Sequence, residues 1–154
     1  MFTLSNKVIE HEVLRGSLLR HDAGGFCAFE GWVRNHHLGR DVERLEYQAY
    51  AKLAQTQGEA VLKLAHDQYD LLDLRAEHRI GALIPGDLAV WVGVCSVHRD
   101  QAFEACRFII DEIKATVPIW KHEYYVDGSD EWVDPTACHC DHRHLNHDHK
   151  HRHA

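Results

Sequence analysis

The chain has 154 residues, 45% of them hydrophobic and 27% charged, with a formal net charge of −7. That length fits one domain with its own core, and the acidic balance excludes a general nucleic-acid or anionic-membrane binder, which needs a basic face. No apolar run approaches the ~20 residues that cross a bilayer, and the start MFTLSNKVIEHEV has neither the basic nor the apolar region of a signal peptide, so a cytoplasmic protein is expected.

In chain order, Val8, Ile9, Val13, Leu14, Leu18 and Leu19 form a loose helical stripe, which Gly24-Gly25 interrupts. FCAFEGWV is apolar on both faces and reads as a central strand. RNHHLGR is a polar turn, and VERLEYQAY a strand. Leu53, Ala54, Ala60, Val61, Leu64 and Ala65 recur at the spacing of an amphipathic helix over residues 50–69. LLDLRAEHRIGAL alternates as one strand, IPGD is a turn, and LAVWVGVCSV is a buried strand. A second main helix follows, with Ala102, Phe103, Cys106, Ile109, Ile110, Ile113 and Val117 at three- and four-residue steps and Asp100 as its expected N-cap. Pro118 ends it, and IWKHEYYV resumes as a strand. The expected class is α+β, with two main helices and a mostly antiparallel sheet.

From Asp134 the composition changes. DPTACHCDHRHLNHDHKHRHA holds seven of the fifteen histidines and almost nothing apolar, so residues 136–154 are expected to be a disordered tail after a domain spanning 1–135. Its Cys138, His139, Cys140, His142 and His144 offer thiolate and imidazole ligands for adventitious zinc, nickel or copper, without the spacing of a fixed four-ligand site. A metal-handling protein working through this tail is one alternative reading. Cys27, Cys95 and Cys106 sit in apolar patterns and read as reduced core thiols. Cys95 and His98, three apart on a strand, point to opposite faces, which argues against a cysteine nucleophile.

Cations gather where elements end. At ~100° per residue, Lys114 falls about 80° from the centre of its helix's apolar stripe, and Lys121 stands three residues beyond Pro118. A lone lysine in either place ordinarily lays its stem on apolar surface and its ammonium in water; two across one helix-strand corner can converge on one rim. His98 and Arg99 occupy a strand-to-helix junction, a place suited to anions, and Arg34 ends an apolar strand. These positions point to a small phosphorylated ligand.

The blocks FEGWVRNHHLG, LEYQAY, HRIGALIPGD, VCSVHRDQAFEA, IDEIKATVPIWKHE and DGSDEWVDP resemble, in order and spacing, the MoaE family, the large catalytic subunits of molybdopterin synthase. The resemblance covers about residues 2–135. It implies an α+β fold with an α/β-hammerhead element, a homodimer, and a heterotetramer with two small ubiquitin-like carriers whose C-terminal Gly-Gly bears a thiocarboxylate. It implies sulfur transfer to cyclic pyranopterin monophosphate, forming the dithiolene of molybdopterin with no metal or other cofactor required. Trp32, Val33, Arg34, His98, Arg99, Lys114, Lys121, His122 and Glu123 fall on the family's substrate-binding positions, in a pocket drawing on both protomers, with Lys114 and Lys121 as the catalytic lysines. His122 stands where another basic residue is usual. A homologue kept as an inactive scaffold for the carrier is the remaining alternative, against which all five basic positions speak.

Overall fold

The structure, a computed structural model, describes residues 1–134. The elements are β1 (Phe2–Ser5), α1 (His11–Ser17), β2 (Gly25–Trp32), β3 (His36–His37), β4 (Arg40–Ala49) and α2 (Ala51–Gln68). After them come β5 (Leu71–Arg79), β6 (Gly81–Leu83), β7 (Leu88–Ser96), α3 (Arg99–Thr116), β8 (Ile119–Tyr125) and β9 (Asp130–Val133). Among the described residues the strands form two sheets. One has the order β1-β5-β7-β2, and the other β3-β4-β8-β9 with β6 also paired to β4. All pairings are antiparallel except that of β1 with β5, where Phe2 stands opposite Ala76.

The alternation of β7 explains the layering, since successive side chains leave opposite faces of a strand. Val90, Val92 and Val94 join the main core beneath α2 and α3, with Phe2, Leu62, Leu74, Ile109 and Ile113. Trp91 points the other way and packs with Ile9 and Leu18 around α1. Each fully buried aliphatic chain of this kind contributes about 1.5–3 kcal/mol. Val33, Leu45, Leu83 and Ala89 form a smaller cluster that joins the two sheets. The site forms along this junction.

The expected α+β class holds, with α2 and α3 of 18 residues each as the main helices. Four local expectations are corrected. FCAFEGWV is not central: β2 is the edge of its sheet, and Phe26 and Phe29 are 37% and 36% exposed. Only the face carrying Cys27 packs against α3 and the main core. LLDLRAEHRIGAL is two strands in different sheets, because the chain turns at Gly81 with φ +90°, a conformation glycine adopts without steric cost. RNHHLGR is a β3–β4 hairpin whose loop residues, Leu38 and Gly39, have φ +48° and +76°, as a two-residue type I′ turn requires. Finally, His98 and not Asp100 is the N-cap of α3, in extended conformation and without a side-chain cap bond. Asp100 lies in the first turn, where its charge complements the helix dipole.

Candidate active site

The corner between α3 and β8 sets the two lysines. Val117 N–H donates to Ile113 at 3.1 Å, closing the last turn before Pro118, and Ile119 N–H donates to the Val117 carbonyl at 2.8 Å. Lys114 therefore leaves the last turn of α3, while Lys121 stands in β8 opposite Tyr47 of β4. Both line a cavity of about 910 Å³, together with Trp32 at the end of β2, Arg34 just beyond it, His37 and His78. Three cations, from α3, β8 and the segment after β2, thus line one cavity, an arrangement suited to anionic oxygens.

Lys121 is held from below. Its Nζ lies 2.9 Å from Oε1 of Glu123, two residues along the same face of β8 and only 3% exposed. The other oxygen, Oε2, lies 2.7 Å from His37 Nδ1 and accepts from the Tyr125 hydroxyl at 2.9 Å. Burial pushes the Glu123 carboxyl up, but Lys121 above all, then Tyr125 and His37, outweigh it and hold the carboxyl below its ordinary range. Glu123 is thus a buried, ionised acceptor satisfied on both oxygens.

His78 forms another part of the wall. Its Nδ1 donates to the Arg79 carbonyl at 2.8 Å, and its ring meets Tyr47 edge-on at 4.9 Å between centroids. Burial lowers its pKa to about 4, the backbone bond opposes that shift, and the Lys114 charge adds to it. The imidazole is therefore neutral near pH 7, and it does not compete with the lysines for an anion.

The remaining sequence-predicted residues divide into four groups. Val33 is buried in the inter-sheet cluster, its N–H donating to Asp87 at 2.9 Å, so it fixes the direction of Arg34. His122 faces away from Lys121 and Glu123 on β8. It stacks on Trp132 at 4.4 Å and reaches Asp130 Oδ2 at 2.6 Å, and it does not line the cavity. His98 and Arg99 are exposed at the other end of α3, about 22 Å along the axis from Lys114 at 1.5 Å per residue; within one protomer they are not part of this cavity. Cys138, His139, Cys140, His142 and His144 lie outside the described residues, and no cluster of three or more His, Cys, Asp or Glu suited to a metal occurs among the described ones.

The core-thiol reading holds for Cys95 and Cys106, while Cys27 is half-buried at the core's edge. Cys95 is buried and its thiol donates to the Asp73 carbonyl at 3.6 Å, while burial pushes Cys106 up to about 12. Sequence reasoning missed His37 and His78. His37 sat in what read as a polar turn; the buried phase of the alternating strand LLDLRAEH was the available signal for His78.

Residues 4–116 match the family described as "MoaE protein". A molybdopterin synthase catalytic subunit from Oryza sativa subsp. indica is 44% identical over 106 residues, 69% of this chain. The chain spans about half the length of that relative, 55%. Another protein of that description, from Synechococcus elongatus, is 40% identical over 121 residues, covering 78% of this chain and 73% of its own. The crystal structure of a molybdopterin synthase from Staphylococcus aureus superposes with a TM-score of 0.81 at 32% identity, over 86% of this chain and 96% of that one.

Proposed function

Since the chain belongs to the MoaE family, we propose that it is the catalytic subunit of a molybdopterin synthase, a sulfurtransferase that acts on cyclic pyranopterin monophosphate. The convergence of Lys114, Lys121 and Arg34 on one cavity carries this reading. The planar fork of Arg34 suits the cyclic phosphate. The sulfur donor, a thiocarboxylate at the Gly-Gly end of a small ubiquitin-like carrier, is itself an anion and is drawn to the same wall. Opening the phosphate ring develops negative charge, which the Lys114 ammonium stabilises or protonates. Lys121, anchored on Glu123, holds the second anion in register.

His98 and Arg99 enter this scheme from a second protomer. In a homodimer, the α3 N-terminus of one copy would complete the cavity of the other, adding the pair to the lysines without any movement within the chain.

The test is reconstitution of this chain with thiocarboxylated carrier and cyclic pyranopterin monophosphate, in the presence of chelator, scored for dithiolene product. Lys114→Ala is expected to lower turnover by about 100-fold or more, the usual cost of removing one group that stabilises transition-state charge, and Lys121→Ala to be similarly impaired. A folded Lys114→Ala protein that turns over at the wild-type rate would remove Lys114 from its catalytic role. Absence of product with carrier binding intact would favour the scaffold reading.

A further inference from the structure

His37 and Lys121 are both ligands of one buried carboxylate, and only one of them carries a fixed charge. Glu123 presents Oε1 to Lys121 and Oε2 to His37, at 2.9 and 2.7 Å. Tyr125 also donates to Oε2 at 2.9 Å, yet the same hydroxyl lies 2.7 Å from Glu131 Oε1. A phenol has one proton, so it serves one of these carboxylates at a time. The donor that always satisfies Oε2 is then His37 Nδ1–H. With Nδ1 committed to an acceptor-only carboxylate, Nε2 is the atom that gains or loses a proton, and His37 lines the same cavity as Lys121.

We infer that His37 is a positioning residue for Lys121, acting through Glu123, and that its charge state sets how firmly the Lys121 ammonium is held back from an anion in the cavity. The inference rests on the function proposed above for Lys121. When His37 is neutral, Lys121 is the main counter-charge of Glu123 and is drawn toward it. When His37 is protonated, two cations share one carboxylate, and the Lys121 charge is turned more fully toward the ligand. Histidine is the side chain whose ordinary charge change falls between about pH 5 and 8, which sets the range for the test.

The surrounding charges do not cancel it. On β8, Lys121, Glu123 and Tyr125 face the ring. On β4, Arg40 stands opposite His37 in the hairpin, but its guanidinium lies 3.5 Å over the Tyr125 ring and 3.5 Å from Glu131, so its charge is engaged there. Glu131 of β9 is tied to Arg40 and Tyr125 in the same way. Arg34, Lys114, Asp134 and Glu30 also line the cavity.

Two readouts test the inference on the full chain. The first is KM for cyclic pyranopterin monophosphate in the reconstituted synthase between about pH 5.5 and 8, the histidine range. In the wild type KM is expected to fall about fivefold toward the acid end, equivalent to roughly 1 kcal/mol. His37→Ala should raise KM at pH 8 and lose this dependence. His37→Asn, which keeps a side-chain N–H for Oε2 but does not titrate, should recover KM at pH 8 and remain flat with pH. The second readout needs no turnover: NMR of reductively 13C-methylated protein, with the Lys121 signal assigned by Lys121→Arg. That signal should move with pH in the wild type and stay still in His37→Asn. A Lys121 signal with the same pH response in wild type and His37→Asn overturns the inference, whether or not product forms. A wild-type protein that shows the response but makes no product fails the functional reading instead and leaves the positioning role standing.

Discussion

Burial of one imidazole ties part of the acid stability to a single residue. His78 is lowered to about 4 by burial, against an ordinary value of 6.5, so below 6.5 the unfolded chain binds a proton that the folded chain refuses. The sign follows from proton linkage: stability is full above 6.5 and falls as pH drops toward about 4. At one pKa unit per 1.36 kcal/mol, the loss attributable to His78 between pH 7 and pH 5 is about 2 kcal/mol. His78→Asn keeps a donor for the Arg79 carbonyl and removes the titration. Urea unfolding of both proteins at pH 7, 6 and 5 should show a shallower decline for the variant, even if its stability at pH 7 is lower. Parallel declines would mean that His78 is readily protonated in the folded state and that the acid sensitivity comes from other groups.

Where α2 crosses β1, packing and helix propensity oppose each other at Gly58, which is buried on the inner face of α2. A Cβ built there falls 2.2 Å from Cδ1 of Phe2, itself 1% exposed. Alanine would gain about 1 kcal/mol of helix propensity, but overpacking a filled core costs about 1–3 kcal/mol. Phe2 has no room to retreat, because the β1–β5 ladder and the Phe2 N–H bond to Glu59 at 2.8 Å fix its backbone. Gly58→Ala is therefore expected to lower the denaturation midpoint, with Phe2→Leu partly relieving the effect; a stabilised Gly58→Ala protein would show that β1 can shift. Elements of this kind also mark what a sequence reveals. The stripe of α3, its stop at Pro118 and the place of Lys114 and Lys121 follow from local spacing. The edge position of β2 does not, since apolar residues on both faces read the same whether the neighbouring strand belongs to the chain or not. The Glu123–His37 contact joins residues 86 apart in sequence and depends on the β3–β4 turn and the β4–β8 register together, so no local pattern announces it.

At the scale of the whole molecule, the basic residues of the candidate site fall into two sets, near opposite ends of α3. A single protomer offers Arg34, Lys114 and Lys121 to the cavity and leaves His98 and Arg99 about 22 Å away along α3. If the two sets serve one substrate, they meet only across a symmetric pair of chains, and each dimer then has two composite sites. That geometry predicts complementation between variants that are inactive alone. In a dimer of one Lys114→Ala and one Arg99→Ala chain, the lysine of the second faces the arginine of the first, so one site is intact and the other lacks both groups. Random co-assembly makes half of the dimers mixed, each with one working site of two, and recovers about a quarter of wild-type product formation from two impaired parents. Separately purified parents, combined without subunit exchange, should recover none. Mixed dimers no more active than their parents would place both residues in the service of the same protomer, or of different steps, and the cavity at the α3–β8 corner would then have to hold its anions with Arg34 and the two lysines alone.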